Sequence, residues 1–531
     1  MGLRHLKRLR VGLSLAFFVA TTLLFLDFGN WFATEVGRVV LYPQFAPALL
    51  QFLHAASLAA TGFAVVLLVT ILCGRLYCST ICPLGTLQDL AGRLFRRRNR
   101  RSGGWRPPHT VLRYSILAAT LLSFLAGSNL LVVFLDPFSI FGRIVTNIVR
   151  PIGIAVNNGG AMLLERFGLY TLVREHWAAL TSVSVGVTAA TLLVVTWLAT
   201  HHGRLYCNTI CPVGTLLGLV ARFSLFKLQV VDALSCTDCG RCAAACKAGC
   251  IDLVSKRVDM SRCVGCYTCL SRCPTSALGF AARSRFPLGS TRRTIDLKKR
   301  ELLVHSGGYL LALSGLTSQA TGGDQPRKII QAKPTTIPVI RTSPVSPPGS
   351  LGIDHFTSTC TACHLCVSAC PPQILLPALL EYGLAGVMQP RMHFQTGHCT
   401  YECTICGEVC PTGAIQPLGV ERKKLTQTGI ARFIKENCVV FTDNTACGAC
   451  SEHCPTKAVN MVPYANPLGK PLVIPEVKTE ICVGCGGCEH ACPTRPYKAI
   501  FVDGNPLHKL ARKPVVEAIE QDVDYKEDFP F

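Results

Sequence analysis

The chain of 531 residues is 49% apolar, only 16% charged, and positive in mean hydropathy, whereas an ordinary soluble domain is about 25% charged. A wholly soluble protein is thereby excluded, and so is a secreted disulfide scaffold, because 24 of the 30 cysteines stand in six runs of four and five of those runs close with Cys-Pro. The formal charge of +22 does not call for nucleic acid, since a four-iron cluster on four thiolates carries about −2 and six of them lower the balance to about +10.

Four apolar stretches, residues 11–26, 46–72, 111–135 and 182–200, are long enough to span a hydrocarbon core. Residues 1–10 and 74–110 hold twelve Lys and Arg, the opposite loops 28–45 and 136–180 only five. The N-terminus and the run Arg96-Arg97-Arg98-Asn99-Arg100-Arg101 therefore face the cytoplasm. The first span lacks a small-residue cleavage site and reads as an anchor, in a bacterial inner membrane crossed several times.

The segment GRLYCSTICPLGTLQDLAGRLF from Gly74 returns as GRLYCNTICPVGTLLGLVARFS from Gly203. Phe25-Leu26-Asp27 likewise matches Phe134-Leu135-Asp136, and Gly37-Arg38 matches Gly142-Arg143. Each unit holds two spans, so the expected fold of residues 1–222 is an α-helical membrane domain of two parallel two-helix repeats. Sites tend to form where such repeats meet. Thiols at i and i+4 share a helix face, so Cys78 and Cys82 can join Cys207 and Cys211 in one four-sulfur redox or metal site. The alternative is that these are structural cysteines at helix ends. Cys73 has no counterpart and reads as a buried apolar residue.

Residues 223–288 carry Cys236, Cys239, Cys242, Cys246 and then Cys263, Cys266, Cys269, Cys273-Pro274, the spacing of a bacterial two-cluster ferredoxin. In that spacing the fourth cysteine ligates the other cluster. The sets are then Cys236, Cys239, Cys242 with Cys273, and Cys263, Cys266, Cys269 with Cys246. Lys247 stands where proline is usual, and Cys250 is a spare thiol that can replace Cys246. A zinc ribbon is the competing reading, disfavoured by runs of four in tandem.

Residues 289–350 contain Arg292-Arg293 before a weakly apolar stretch, 302–316, and a Pro-rich linker over 322–349 that is expected to be extended and mobile. The pair resembles a twin-arginine export signal, although Asp296 departs from the pattern. It makes 302–318 a marginal fifth span. If the resemblance fails, all clusters are cytoplasmic.

Residues 351–531 hold four more runs: Cys360, Cys363, Cys366, Cys370; Cys399, Cys403, Cys406, Cys410; Cys438, Cys447, Cys450, Cys454; and Cys482, Cys485, Cys488, Cys492. Four runs imply four 4Fe–4S clusters, six in the chain, on α+β folds of the bacterial-ferredoxin kind held together largely by their clusters. Residues 438–442 and 499–502 read as short hairpin strands, and the acidic tail after Glu517 as a solvated end.

With these motifs in hand, the chain resembles a fusion of two quinol-dehydrogenase components. Residues 1–288 look like the NapH-type membrane ferredoxin, and residues 289–531 look like the exported NapG/MauM-type four-cluster polyferredoxin. The resemblance implies quinone as substrate and a redox enzyme or small electron carrier, periplasmic, as partner. It also implies that the first C-terminal run pairs with the fourth and the second with the third. Cys492 would then complete the Cys360 set, Cys370 the Cys482 set, Cys454 the Cys399 set, and Cys410 the Cys438 set. The related NosR-type proteins add covalent FMN, but Ser314-Gly315-Leu316-Thr317-Ser318 lacks that pattern. Cys360-x2-Cys363-His364 matches a haem motif by letter only, its cysteines belonging to a ferredoxin run. Neither FMN nor haem is expected. Asp27 and Asp136 are repeat-related acids at the outer interface that can accept quinol protons. An electron relay is the leading expectation. A maturation factor that keeps a metal centre of another enzyme reduced is the alternative.

Overall fold

The computed structural model describes residues 4–27, 35–55, 61–95, 104–175, 177, 180–231, 235–282, 337–465 and 471–513. The chain divides into one unit of residues 1–283 with 337–531, and a second, Ser284–Thr336. The arginine run at 96–101, the twin-arginine-like segment with its fifth span, and the acidic tail lie outside the described residues.

The membrane part opens with α1 (Arg4–Leu26), α2 (Glu35–Leu41), α3 (Phe45–Ala55), α4 (Gly62–Cys73), the short α5 (Tyr77–Thr80) and α6 (Pro83–Leu94). It continues with α7 (Thr110–Leu125), α8 (Leu130–Leu135), α9 (Pro137–Ile144), a π turn Val145–Val149, α10 (Arg150–Glu165), α11 (Ser182–His202), a π turn Tyr206–Ile210 and α12 (Pro212–Ala221). Three helices are long and apolar enough to cross a membrane: His5–Leu26, Pro137–Glu165 and Ser182–His202. Two of them are the first and fourth expected spans. The stretch 46–72 is divided between α3 and α4, and 111–135 breaks after α7, where Gly127 takes φ +79°.

The helix Pro137–Glu165 corrects the expectation that 136–180 is a loop. Its apolar pattern is interrupted by Thr146, Asn147 and Arg150-Pro151, all within or beside the π turn. The Asn147 amide is satisfied by Ser184 (2.8 Å) and Thr188 (2.9 Å) on α11. Buried polar groups paired across helices are invisible to a hydropathy pattern. Asp136 opens this helix as its N-cap, accepting from the Ser139 backbone N–H and hydroxyl, each at 2.8 Å.

The two Cys-x3-Cys-Pro segments follow one plan. A glycine at positive φ, Gly74 (+81°) or Gly203 (+66°), ends an apolar helix; a short helical turn follows, and a Cys-Pro pair starts the next helix. Pro83 and Pro212 each occupy the first turn of that next helix, where the missing N–H costs nothing.

The ferredoxin parts are built from two-stranded antiparallel sheets: β1 (Phe226–Val230) with β4 (Leu278–Ala282), and β2 (Ile251–Asp252) with β3 (Arg257–Val258). In the C-terminal half, β5 (Leu375–Pro377) pairs β6 (Pro390–Met392), β7 (Thr426–Phe433) pairs β10 (Ile500–Leu510), and β8 (Val459–Tyr464) pairs β9 (Leu472–Val477). Residues 499–502 thus mostly fall in a strand as expected, whereas Val439–Thr442 is helical because it caps on Cys438 and turns immediately into a cysteine loop.

The end of the Pro-rich segment is packed rather than extended into solvent. Val345, Ser346 and Ser350 are buried. Asp503 on β10 accepts from the Thr342 N–H (2.8 Å) and hydroxyl (2.6 Å), the Ser343 N–H (3.2 Å) and Arg432 (3.0 Å). Asp503→Ala is expected to cost about 3 kcal/mol and to open residues 337–350 to limited proteolysis, read against thermal unfolding of the same variant.

The two ferredoxin parts meet the helices at opposite ends. Near the start of α1, Lys7 reaches Ser271 (3.2 Å), and near the start of α7, Arg113 donates to the Ser261 carbonyl (2.8 Å). Beyond the far end of α7, Asn129 donates to the Ser358 carbonyl, while the far end of α1 places Phe25 beside Gly142, which abuts the Cys363 carbonyl. A helix of 23 residues is about 35 Å long.

Candidate functional site

A run of closely spaced cysteines followed by x3-Cys bends three thiols around one centre and sends the fourth away on a short helix. The structure carries this out in the N-terminal pair of runs. Cys236, Cys239, Cys242 and Cys273 line one cavity. Cys246 is the electrostatic neighbour of Cys266 and Cys269, which also sense Cys263. Cys250 is buried, with its sulfur 3.6 Å from Cys246 and a hydrogen bond to Cys263. The spare thiol therefore sits inside the second set, beside both Cys246 and Cys263. Cys73 ends α4 half-buried.

Lys247, the residue in place of the usual proline, has a physical explanation. Its ammonium pairs with Asp89 of α6 at 2.9 Å, and its carbonyl accepts from the Arg204 N–H at 3.1 Å. The same carboxylate meets Arg204 (3.0 Å) and Arg10 (3.6 Å). One acid thus joins the two-cluster part to three elements of the membrane core.

In the C-terminal half the pairing implied by the resemblance is corrected. Cys410 is the electrostatic neighbour of Cys360, Cys363 and Cys366. Cys370 joins Cys399, Cys403 and Cys406. Cys492 lines one cavity with Cys438, Cys447 and Cys450. Cys454 joins Cys482, Cys485 and Cys488. First pairs with second, and third with fourth. The helices Leu365–Ala369 and Ile405–Glu408 pack on one another, as do Ala449–Glu452 and Gly487–Ala491, so each fourth thiol finds the neighbouring run.

Burial pushes the Cys363, Cys450 and Cys485 thiols up to about 12; iron would deprotonate them, so loading must release protons. Among the described residues no group of three or more His, Cys, Asp or Glu side chains gathers tightly enough for a single metal ion. His364 is buried, its Nε2 bonded to the Met388 carbonyl at 2.9 Å, and burial holds it down at about 3, in the neutral form.

The sets form a series. The Cys263 set faces the core, with Cys263 near Arg75, while the Cys236 set lies outward with Cys239 exposed. At the other end the Cys360 set abuts Gly142 and Arg143. Cys366 then neighbours Cys406, the Cys399 N–H bonds the Cys485 carbonyl at 2.9 Å, and Cys488 neighbours Cys450.

Between the two groups lie Cys78, Cys82, Cys207 and Cys211, all buried and all electrostatic neighbours. Two arginines that the cysteine spacing does not announce flank them. Arg75 is 0% exposed and Arg204 1%. Arg75 donates to the Cys207 carbonyl (2.9 Å) and reaches the Cys78 sulfur (3.7 Å); Arg204 donates to the Cys78 carbonyl (3.0 Å) and reaches the Cys207 sulfur (3.8 Å). The signal was their place as the second residue of both GRLYC copies, together with the cost of burying an arginine in a membrane segment. Asp136 is engaged as a helix cap, and Asp27 directly follows α1.

Family models match four stretches of the chain. The family described as "4Fe-4S binding domain" matches residues 56–102 and 181–230, another of the same description matches 256–279, and "4Fe-4S dicluster domain" matches 445–495. The chain is thus an iron–sulfur protein with ferredoxin-type domains. Its homologues are ferredoxin-type proteins of the NapH and MauM kind. It is 27% identical to the ferredoxin-type protein NapH of Escherichia coli over 43% of this chain and 69% of that one. It is 35% identical to the methylamine utilization ferredoxin-type protein MauM of Methylophilus methylotrophus over 28% and 65%. With YccM of Escherichia coli the identity is 28% over 43% of this chain, which spans little more than half (56%) of that relative. No solved structure matches the chain.

Proposed function

We propose that the chain relays electrons through the membrane, between the quinol pool and a periplasmic oxidoreductase or small electron carrier, with six four-iron clusters held by the 24 ferredoxin thiols. The observation that carries this reading is the attachment of the two ferredoxin parts to opposite ends of α1 and α7. The basic N-terminal end of α1 meets the two-cluster part, which is therefore cytoplasmic by charge, and the four-cluster part takes the other side. In this reading the first and fourth spans, the α3–α4 pair and α7–α8 form two parallel repeats around Cys78, Cys82, Cys207 and Cys211, and Pro137–Glu165 does not cross. When bound, a cluster exchanges single electrons, which suits stepwise oxidation of a two-electron quinol. The chain's own residues fix the order. Lys247 and Asp89 seat the Cys263 set on the core, and the Gly142–Arg143 turn seats the Cys360 set.

Iron and acid-labile sulfide on anaerobically purified protein test the inventory. The expectation is about 24 iron atoms in the ferredoxin parts, reducible by added quinol; about eight per chain would refute the C-terminal assignment. Asp27 and Asp136 are the proposed proton acceptors. Asp136→Asn keeps an acceptor for the helix cap while removing the proton acceptor and the charge facing Arg143: quinol-dependent reduction should slow in Asp27→Asn and Asp136→Asn, and unchanged rates would remove both acids from the mechanism.

A further inference from the structure

We infer that Cys78, Cys82, Cys207 and Cys211 together hold one further iron–sulfur centre inside the bundle, with Arg75 and Arg204 as its fixed counter-charges. Each of the two matched segments brings only two of these thiols and cannot complete a centre alone; the fold joins them. Cys82 caps α6 and Cys211 caps α12, so the positive ends of two helices point at the same place. The Cys211 sulfur accepts from the Gly214 N–H at 3.3 Å. A side chain at Gly85 would strike the Cys78 carbonyl of its own segment and the Arg204 guanidinium of the other, and one at Gly214 the Cys207 carbonyl and the Arg75 guanidinium, so seating each arginine on the other segment requires glycine at both.

The charge balance points the same way. Arg75 and Arg204 touch the site; Arg204 is paired with Asp89, which also takes Arg10 and Lys247, whereas among the described residues no carboxylate pairs with Arg75. Among the described residues Arg75 has Asn208, backbone carbonyls and the Cys78 sulfur for partners. Burying an unpaired guanidinium is costly. A cluster of two or four irons on four thiolates carries about −2 when oxidised and about −3 when reduced, which supplies the missing anion. As a link in the proposed relay, on which only this role rests, the centre takes one electron from a reduced neighbouring set and gives one to an oxidised set on the other side. No bond forms or breaks and no proton moves.

The test uses the full chain, extracted and purified anaerobically. Parent protein is expected to carry about 26 or 28 irons, and Cys82→Ser/Cys211→Ser about 24, with one electron paramagnetic resonance signal lost and the others intact. About 24 in both, with identical spectra, overturns the inference. Should the double variant fail to accumulate, Arg75→Gln and Arg75→Lys replace it. Losing the positive charge disfavours the more negative reduced state, so the midpoint of a seventh centre falls in Arg75→Gln and returns toward the parent value in Arg75→Lys, separately from any shift of the Cys263 set, which Arg75 also faces. Six titrating centres with no seventh, or a seventh whose midpoint does not move, also overturns it. A centre present by iron and resonance in protein that quinol does not reduce leaves the site standing and refutes the relay.

Discussion

Protease added to intact spheroplasts is expected to cut within residues 337–513 and to leave 235–282 whole, and inside-out vesicles should give the reverse. The helices set the two sides of this all-or-none difference, and the expected export signal would carry residues 337–513 across. The length of α1, about 35 Å, matches a hydrocarbon core of about 30 Å with its borders. One end carries Lys7 against Ser271, the other Phe25 against the turn that touches Cys363. The proposed export signal is tested by the same experiment in Arg292→Lys/Arg293→Lys, where external cleavage should disappear. Protection of both parts in the parent would return all clusters to the cytoplasm.

Asp89→Ala is expected to have the largest effect of any single non-cysteine substitution. It strands Arg10 and Arg204, both nearly fully buried, and the half-buried Lys247. Removing one partner of a buried ion pair costs about 3–5 kcal/mol, here with three cations released at once. Assembled protein should be lost from membranes, or the two-cluster part should come away and be cleaved near residues 223–235. Lys247→Pro restores the usual ferredoxin residue but removes one bridge of three, so it should weaken the attachment far less. Equal behaviour of the two variants would show that Asp89 does not organise this junction.

Much of the site was legible because cysteine spacing is a geometric instruction. Three thiols of each run converge as their x2, x3 or x8 loops require, and Cys273 and Cys246 cross over as the ferredoxin spacing implies. The C-terminal crossover was not legible. Spacing says that a fourth thiol leaves its run, but which run receives it depends on helix contacts such as Leu365–Ala369 against Ile405–Glu408, and these place Cys410 with the Cys360 set. The helix Pro137–Glu165 escaped notice because Asn147 and Arg150 interrupt its apolar pattern, their partners being Ser184, Thr188 and Gln373 on other segments. Arg75 and Arg204 were visible as letters in both repeats. Their meaning depended on the crossing that carries each to the other repeat's cysteine carbonyl.

The relay is tested most directly in sealed proteoliposomes with the two-cluster side outward. A membrane-impermeant reductant is added outside, and the cluster of Cys438, Cys447, Cys450 and Cys492 is followed by rapid-freeze electron paramagnetic resonance, its signal identified by its loss in Cys438→Ser. Reduction of that innermost-facing cluster at the rate of the outer ones, abolished in Cys82→Ser/Cys211→Ser, is the predicted result. Reduction confined to the Cys236 and Cys263 sets, with all four C-terminal clusters left oxidised, would contradict the account.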